Sequence, residues 1–216
     1  MKFISSQQIM AILSALACSD IPYRLLRNIG NELPGRLIEG KDIDILVHWD
    51  DKEKVDLFLK QNSFQKVSHP LKRDQFLYGV HPCRFYKHVS IDVFIDCHFE
   101  LACRSLNKGE WIPLDRRIQE KAWIECTPQY MGGLVLAGLP RACECLHILT
   151  RCIFDKRKFN DAYIQRIEEL AEMLSNSELQ EVLQPVFFKF SGTLLRFIRA
   201  KRYDQIISAH LGFMEY

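Results

Sequence analysis

Gly40-Lys41-Asp42-Ile43-Asp44-Ile45-Leu46-Val47 is the stretch on which the reading of this chain turns. Its β-branched run predicts a strand that leaves a loop at Gly40. Alternate side chains of a strand share a face, so Asp42 and Asp44 point one way while Ile43, Ile45 and Val47 point into a core. Two carboxylates held so close repel each other unless a positive charge sits between them. A hard cation with oxygen ligands, Mg²⁺ first and Mn²⁺ as its alternative, fits that position.

A second acidic run, Val89-Ser90-Ile91-Asp92-Val93-Phe94-Ile95-Asp96, is again rich in β-branched and aromatic residues and predicts a strand over 90–95. Ile91, Val93 and Ile95 share one face; Asp92 and Asp96 share the other. With this strand beside the first, Asp92 completes a three-carboxylate cluster able to hold metal ions on a polyphosphate and to activate an attacking hydroxyl. Asp96 lies roughly 13 Å from Asp92 at about 3.3 Å per residue, and reads as a strand-end acid. Lys72, Arg73 and Arg84 precede this strand, where a basic loop would meet a phosphate-bearing ligand or simply water.

The first half interleaves strands with helices. The spacing predicts a helix over 6–18, a strand over 23–27, a short helix or irregular segment over 31–38, a helix over 51–61, and strands over 65–67, 75–79 and 84–87. Beyond residue 112 the periodicity becomes helical: 140–155, 161–175, 178–189, 192–201 and 203–211. The expected fold class is therefore α+β, a mixed sheet with flanking helices followed by a C-terminal helical bundle. The corresponding domains are 1–112 and 113–216.

The pattern of a small glycine-containing turn, an acidic D-x-D strand and a third acid on a later strand resembles the nucleotidyltransferase superfamily. Its minimal, polymerase-β-like members are the nearest in kind. The resemblance covers roughly residues 20 to 96. It implies that Asp42, Asp44 and Asp92 are the catalytic, metal-binding acids, and that an NTP is the donor substrate. For the phosphate-binding turn it offers two alignments, Gly30-Asn31 or Arg27-Asn28, where the family usually carries Gly-Ser or Gly-Gly. Gly30 would admit close backbone approach to a phosphate; Arg27 would supply a forked, permanently charged donor. Lys41, next to the first acid, is a further phosphate contact. The helical half from His147 to Lys156, with Phe159 and Tyr163 after it, resembles the accessory region of the same family. There Lys156 would face phosphate and Tyr163 would stack on a base or bond a ribose. A basic helix end and a tyrosine packed between helices are the simpler readings of those two. His147 reads as a core histidine.

The implied activity is metal-dependent transfer of a nucleoside monophosphate from an NTP to a hydroxyl or phosphate of a small, sugar-like acceptor, with release of pyrophosphate. The alternatives are an RNA- or protein-modifying, toxin-like transferase and a non-catalytic nucleotide-binding domain of the same fold. A net charge of +2 over 216 residues carries no general nucleic-acid or membrane footprint, which favours the small acceptor. No apolar stretch is long enough to span a bilayer. Ile9, Ile12, Leu13 and Leu16 mark a helix face capped by Ser5 or Ser6 and not a secretion signal. The eight cysteines contain no Cys-x-x-Cys spacing, so they are expected to be small buried residues in a reducing cytoplasm.

Overall fold

The computed structural model of the chain describes residues 2–68, 83–104 and 111–214. The strand expected over 75–79, with Lys72 and Arg73, lies outside them. The chain begins with α1 (Ser6–Ala17), whose Ser5 side chain accepts from the Gln8 backbone N–H while the Gln8 side chain returns to Ser5, a capping box. Then come β1 (Tyr23–Leu25), β2 (Lys41–Val47), α2 (Lys52–Gln61), β3 (Phe64–Val67), β4 (Cys83–His88) and β5 (Val93–His98). A hairpin, β6 (Ala102–Arg104) with β7 (Trp111–Pro113), and α3 (Arg116–Ile124) lead to a second hairpin, β8 (Thr127–Met131) with β9 (Leu134–Gly138). Five helices close the chain: α4 (Arg141–Thr150), α5 (Asp161–Glu172), α6 (Asn176–Phe187), α7 (Ser191–Arg199) and α8 (Tyr203–Met214).

These elements form two compact units, Met1–Leu101 with Cys126–Leu139, and Ala102–Glu125 with Pro140–Tyr216. The chain thus passes from one unit to the other three times, where a single boundary near 112 was expected. The difference comes from β8 and β9, which the helical reading of the second half overlooked. Their turn is Gly132-Gly133, both at positive φ (52° and 85°), as a two-residue hairpin loop requires.

The first unit is a seven-stranded mixed sheet in the order β3-β4-β5-β2-β1-β9-β8, with β2 at its centre. β2 runs parallel to β5 and β1 parallel to β9; the other pairs are antiparallel. Strand alternation sets the two faces. Ile43, Ile45 and Val47 of β2, with Val93, Ile95 and Cys97 of β5, join one apolar cluster with Ile9, Leu13 and Leu16 of α1 and Val55 and Leu59 of α2. The opposite face of the same two strands carries Asp42, Asp44 and Leu46, and Phe94, Asp96 and His98.

The second unit is helical apart from the β6–β7 hairpin. Its core helix α4 is buried along nearly its whole length, including Glu144, His147 and Thr150. Arg166 of α5 meets the Glu144 carboxylate through Nε at 2.8 Å and Nη2 at 2.9 Å. Where one helix was expected over 140–155, α4 ends at Thr150 and a π-helical turn, Arg151–Lys156, follows it; Arg157 closes the turn in the left-handed region. Cys18 and Cys126 are exposed and Cys83 is half-buried, whereas Cys97, Cys103, Cys143, Cys145 and Cys152 are buried as expected. Burial raises their thiol pKa values, to about 12 for the last four. Among the described residues no helix is long and apolar enough to cross a membrane.

Candidate metal centre

The central strand brings the first two acids where the alternation predicted. Asp42 is half-buried at the start of β2, and Asp44, two residues on, is 7% exposed. The parallel register with β5 sets Asp42 against Phe94, Asp44 against Asp96 and Leu46 against His98. Asp96 and His98 are therefore the side chains level with the acidic strand, on its polar face. His98 Nε2 lies 3.2 Å from Asp96 Oδ2 and 3.6 Å from Asp44 Oδ1, and all three residues are buried. One ligand atom from each of Asp44, Asp96 and His98 falls within 4.8 Å of the others. Burial raises the Asp42 pKa, and the neighbouring Asp44 and Asp96 charges raise it further, against the Arg27 guanidinium, which lowers it.

Asp92, expected as the third acid, is not in this cluster. Ser90–Asp92 form a bend, and β5 starts only at Val93, three residues later than the predicted strand. Asp92 is half-exposed, its carboxylate 3.1 Å from Lys87 Nζ. Its backbone carbonyl accepts from the Gly40 N–H at 2.7 Å, closing the turn that launches β2. Gly40 stands at φ 81° there, a conformation that suits glycine. The acid that stands level with Asp44 is Asp96. A slide of four residues in register, roughly 13 Å along the strand, separates the two assignments.

Arg27, proposed for phosphate from the resemblance, is held in the structure by the second acid. Its Nε and Nη2 both donate to Asp44 Oδ2, at 2.9 and 2.7 Å. Asn28 closes its own loop: its Oδ1 accepts from the Leu33 N–H at 2.9 Å and its Nδ2 donates to the Leu33 carbonyl at 3.4 Å. Gly30 and Asn31 sit in a single 3₁₀ turn, both at positive φ (67° and 52°), which explains the choice of residues there. Lys41 alternates with Asp42 and so does not share the acidic face. Lys156, exposed, and Tyr163, in the first turn of α5, belong to the second unit.

Two components were missed by sequence reasoning. His98 is one, and its signal was present: Asp96-Cys97-His98 repeats the i, i+2 spacing of Asp42 and Asp44. The other is an aromatic pair beside the acids, in which Phe94 stacks on Phe85 of β4 with ring centroids 4.9 Å apart.

No protein-family model matches the chain, and no curated protein matches it. Solved structures do. The solution structure of the antibiotic-resistance factor ANT(2'')-Ia aligns with a TM-score of 0.51 at 12% identity, over 97% of this chain and 100% of that one. The crystal structure of ANT(2'')-Ia in complex with adenylyl-2''-tobramycin aligns with a TM-score of 0.50 at 11% identity, over 91% of this chain and 99% of that one. At such identities the likeness speaks for the fold alone: the α+β arrangement of this chain is the fold of these two structures.

Proposed function

We propose that this chain, built on the nucleotidyltransferase fold, is a divalent-metal-dependent enzyme that moves a nucleoside monophosphate from an NTP to a hydroxyl or phosphate of a small-molecule acceptor. The observation that carries the reading is the convergence of Asp44 and Asp96 beside Asp42 on the polar face of the central strands, with donor atoms spaced for a cation. A six-coordinate ion with bonds of about 2.1 Å has neighbouring ligands about 3.0 Å apart; the 3.2 and 3.6 Å separations at His98 are close to that spacing.

A divalent cation held by Asp44, Asp96 and His98 would supply positive charge to the polyphosphate and offset the charge that develops on the leaving pyrophosphate. The protein's own groups do the rest. Asp42 and Asp44 present carboxylate oxygens from one face of β2. Arg27 takes one Asp44 oxygen and leaves Oδ1 turned toward His98. Asp96 takes the part assigned to Asp92: its carboxylate accepts the proton as the acceptor oxygen bonds to the α-phosphorus, and the α–β bridging bond breaks to release pyrophosphate. Gly30 and Asn31, both at positive φ, remain the proposed backbone contacts for the triphosphate. The ANT(2'')-Ia structure in complex with adenylyl-2''-tobramycin supports a small polar acceptor.

The test is thermal unfolding with each of the four NTPs, with and without Mg²⁺ or Mn²⁺, followed by pyrophosphate release with a panel of hydroxylated small molecules. A nucleotide at about 100 times its dissociation constant should add roughly 2.7 kcal/mol of stability. That metal-dependent gain should vanish in Asp44→Asn and Asp96→Asn and persist in Asp92→Asn. Loss in Asp92→Asn with retention in Asp96→Asn would overturn the assignment.

A further inference from the structure

The third side chain of the cluster is an imidazole, whose nitrogen is a different kind of donor from the two carboxylates. A set of carboxylates alone would suit Mg²⁺, a hard ion that keeps oxygen ligands and water. Here His98 Nε2 stands 3.2 Å from one oxygen of Asp96 and 3.6 Å from one oxygen of Asp44, in a pocket of side chains each less than a tenth exposed. Imidazole nitrogen is a borderline ligand that favours first-row transition-metal ions over Mg²⁺. We infer that Asp44, Asp96 and His98 form an O,O,N site selective for a first-row transition-metal dication of the Mn²⁺ to Zn²⁺ series over Mg²⁺, with His98 Nε2 as a direct ligand.

The surroundings agree. Arg27 donates twice to Asp44 Oδ2, which fixes the carboxylate and leaves Oδ1 as the atom facing His98. That is the kind of outer hydrogen bonding that orients a metal ligand. His98 is the last residue of β5, set by register against Leu46 and in line with Asp96 one pleat away, so the strand itself delivers Nε2 to the two carboxylates. Cys97 between them points to the opposite, apolar face, which leaves nitrogen and oxygen as the donors on this one.

The inference rests on the proposed reading of this face as a metal site, and the experiment separates the two. Mn²⁺ binding to the nucleotide-free protein is titrated by EPR, with Mg²⁺ as competitor, and pulsed EPR looks for ¹⁴N coupling to the bound ion. The expected result is Mn²⁺ held at least about 10-fold more tightly than Mg²⁺, with nitrogen coupling. His98→Asn should lose both while Asp92→Asn keeps both, with far-UV circular dichroism and the melting curve confirming that each variant folds. The coupling in the unsubstituted protein needs no variant, so a poorly folding His98→Asn leaves the result intact. Mn²⁺ binding without nitrogen coupling, or equal affinities for the two ions beside an intact Mg²⁺-dependent nucleotide shift, would overturn the role of His98 and leave the transferase reading standing. Absence of any divalent binding together with absence of a nucleotide shift would overturn both.

Discussion

Arg27 and Asp44 form the tightest charged contact at the candidate site. Both side chains are nearly buried, 12% and 8% exposed, and two guanidinium N–H groups share one carboxylate oxygen. Removing the cation would leave Asp44 buried beside Asp96 and Asp42. A broken buried pair typically costs about 3–5 kcal/mol, because one charge remains desolvated and uncompensated. Arg27→Ala should therefore lose about 3 kcal/mol or more in urea unfolding without metal, and saturating Mn²⁺ should restore part of it by supplying positive charge at the same carboxylate. An Arg27→Ala protein as stable as the parent would show that the contact contributes nothing net. Residues that the resemblance offered as phosphate contacts have structural work of their own here: Asn28 ties a loop, and Gly30 and Asn31 supply left-handed backbone.

At the scale of elements, α4 depends on its partners. Glu144 is 1% exposed, and its carboxylate is met by Arg166 from α5. Arg166→Ala should destabilise the chain by about 3 kcal/mol or more, whereas Glu144→Leu with Arg166→Met should recover most of that loss. Chemical denaturation of the two variants against the parent gives both numbers. Helix α8 carries a second test. His210 is buried, with ring centroids 5.5 Å from Phe154, 5.8 Å from Phe187 and 5.1 Å from Phe190. Burial lowers its pKa below the ordinary 6.5. Above pH 6.5 the folded and unfolded imidazoles are both neutral, and folding carries no penalty. As the pH falls from 6.5 toward the lower folded value, the unfolded chain takes up a proton that the folded chain refuses, so stability declines. The parent should lose more stability between pH 7.5 and 5.5 than His210→Leu does, measured by urea midpoints; parallel curves would show that the cage tolerates the charge.

The whole molecule is two units joined by three crossings, and that arrangement sets what can be cut. A fragment ending at residue 112 lacks β8 and β9, which leaves one edge of β1 without its parallel partner and removes Met131 and Leu136 from the apolar cluster of the sheet. Such a fragment should melt without a sharp cooperative transition, or aggregate through the exposed strand edge. A cooperative melt by circular dichroism would mean that the sheet stands without its last hairpin. The same crossings explain why the helical signal after residue 112 did not separate the units: α3 and the β8–β9 hairpin alternate between them.

What the sequence determined by itself is local. Period-two alternation in Lys41–Val47 placed Asp42 and Asp44 on one face and Ile43, Ile45 and Val47 on the other, since that follows from the pleat alone. The capped face of α1 and the helices α5 to α8 followed from spacing and end residues in the same way. The Gly132-Gly133 turn is an equally local hairpin signal, both glycines standing at positive φ. Register was decided only by the tertiary structure. Asp92 and Asp96 occupy the same face of the same run, and nothing within that run says which of them stands level with Asp44. The answer came from where β5 begins, from the Gly40 N–H bound to the Asp92 carbonyl, and from the packing of Val93, Ile95 and Cys97 under α1 and α2. A strand's faces are written in its own residues, but its offset against a neighbour is fixed by the core that both strands must fill together.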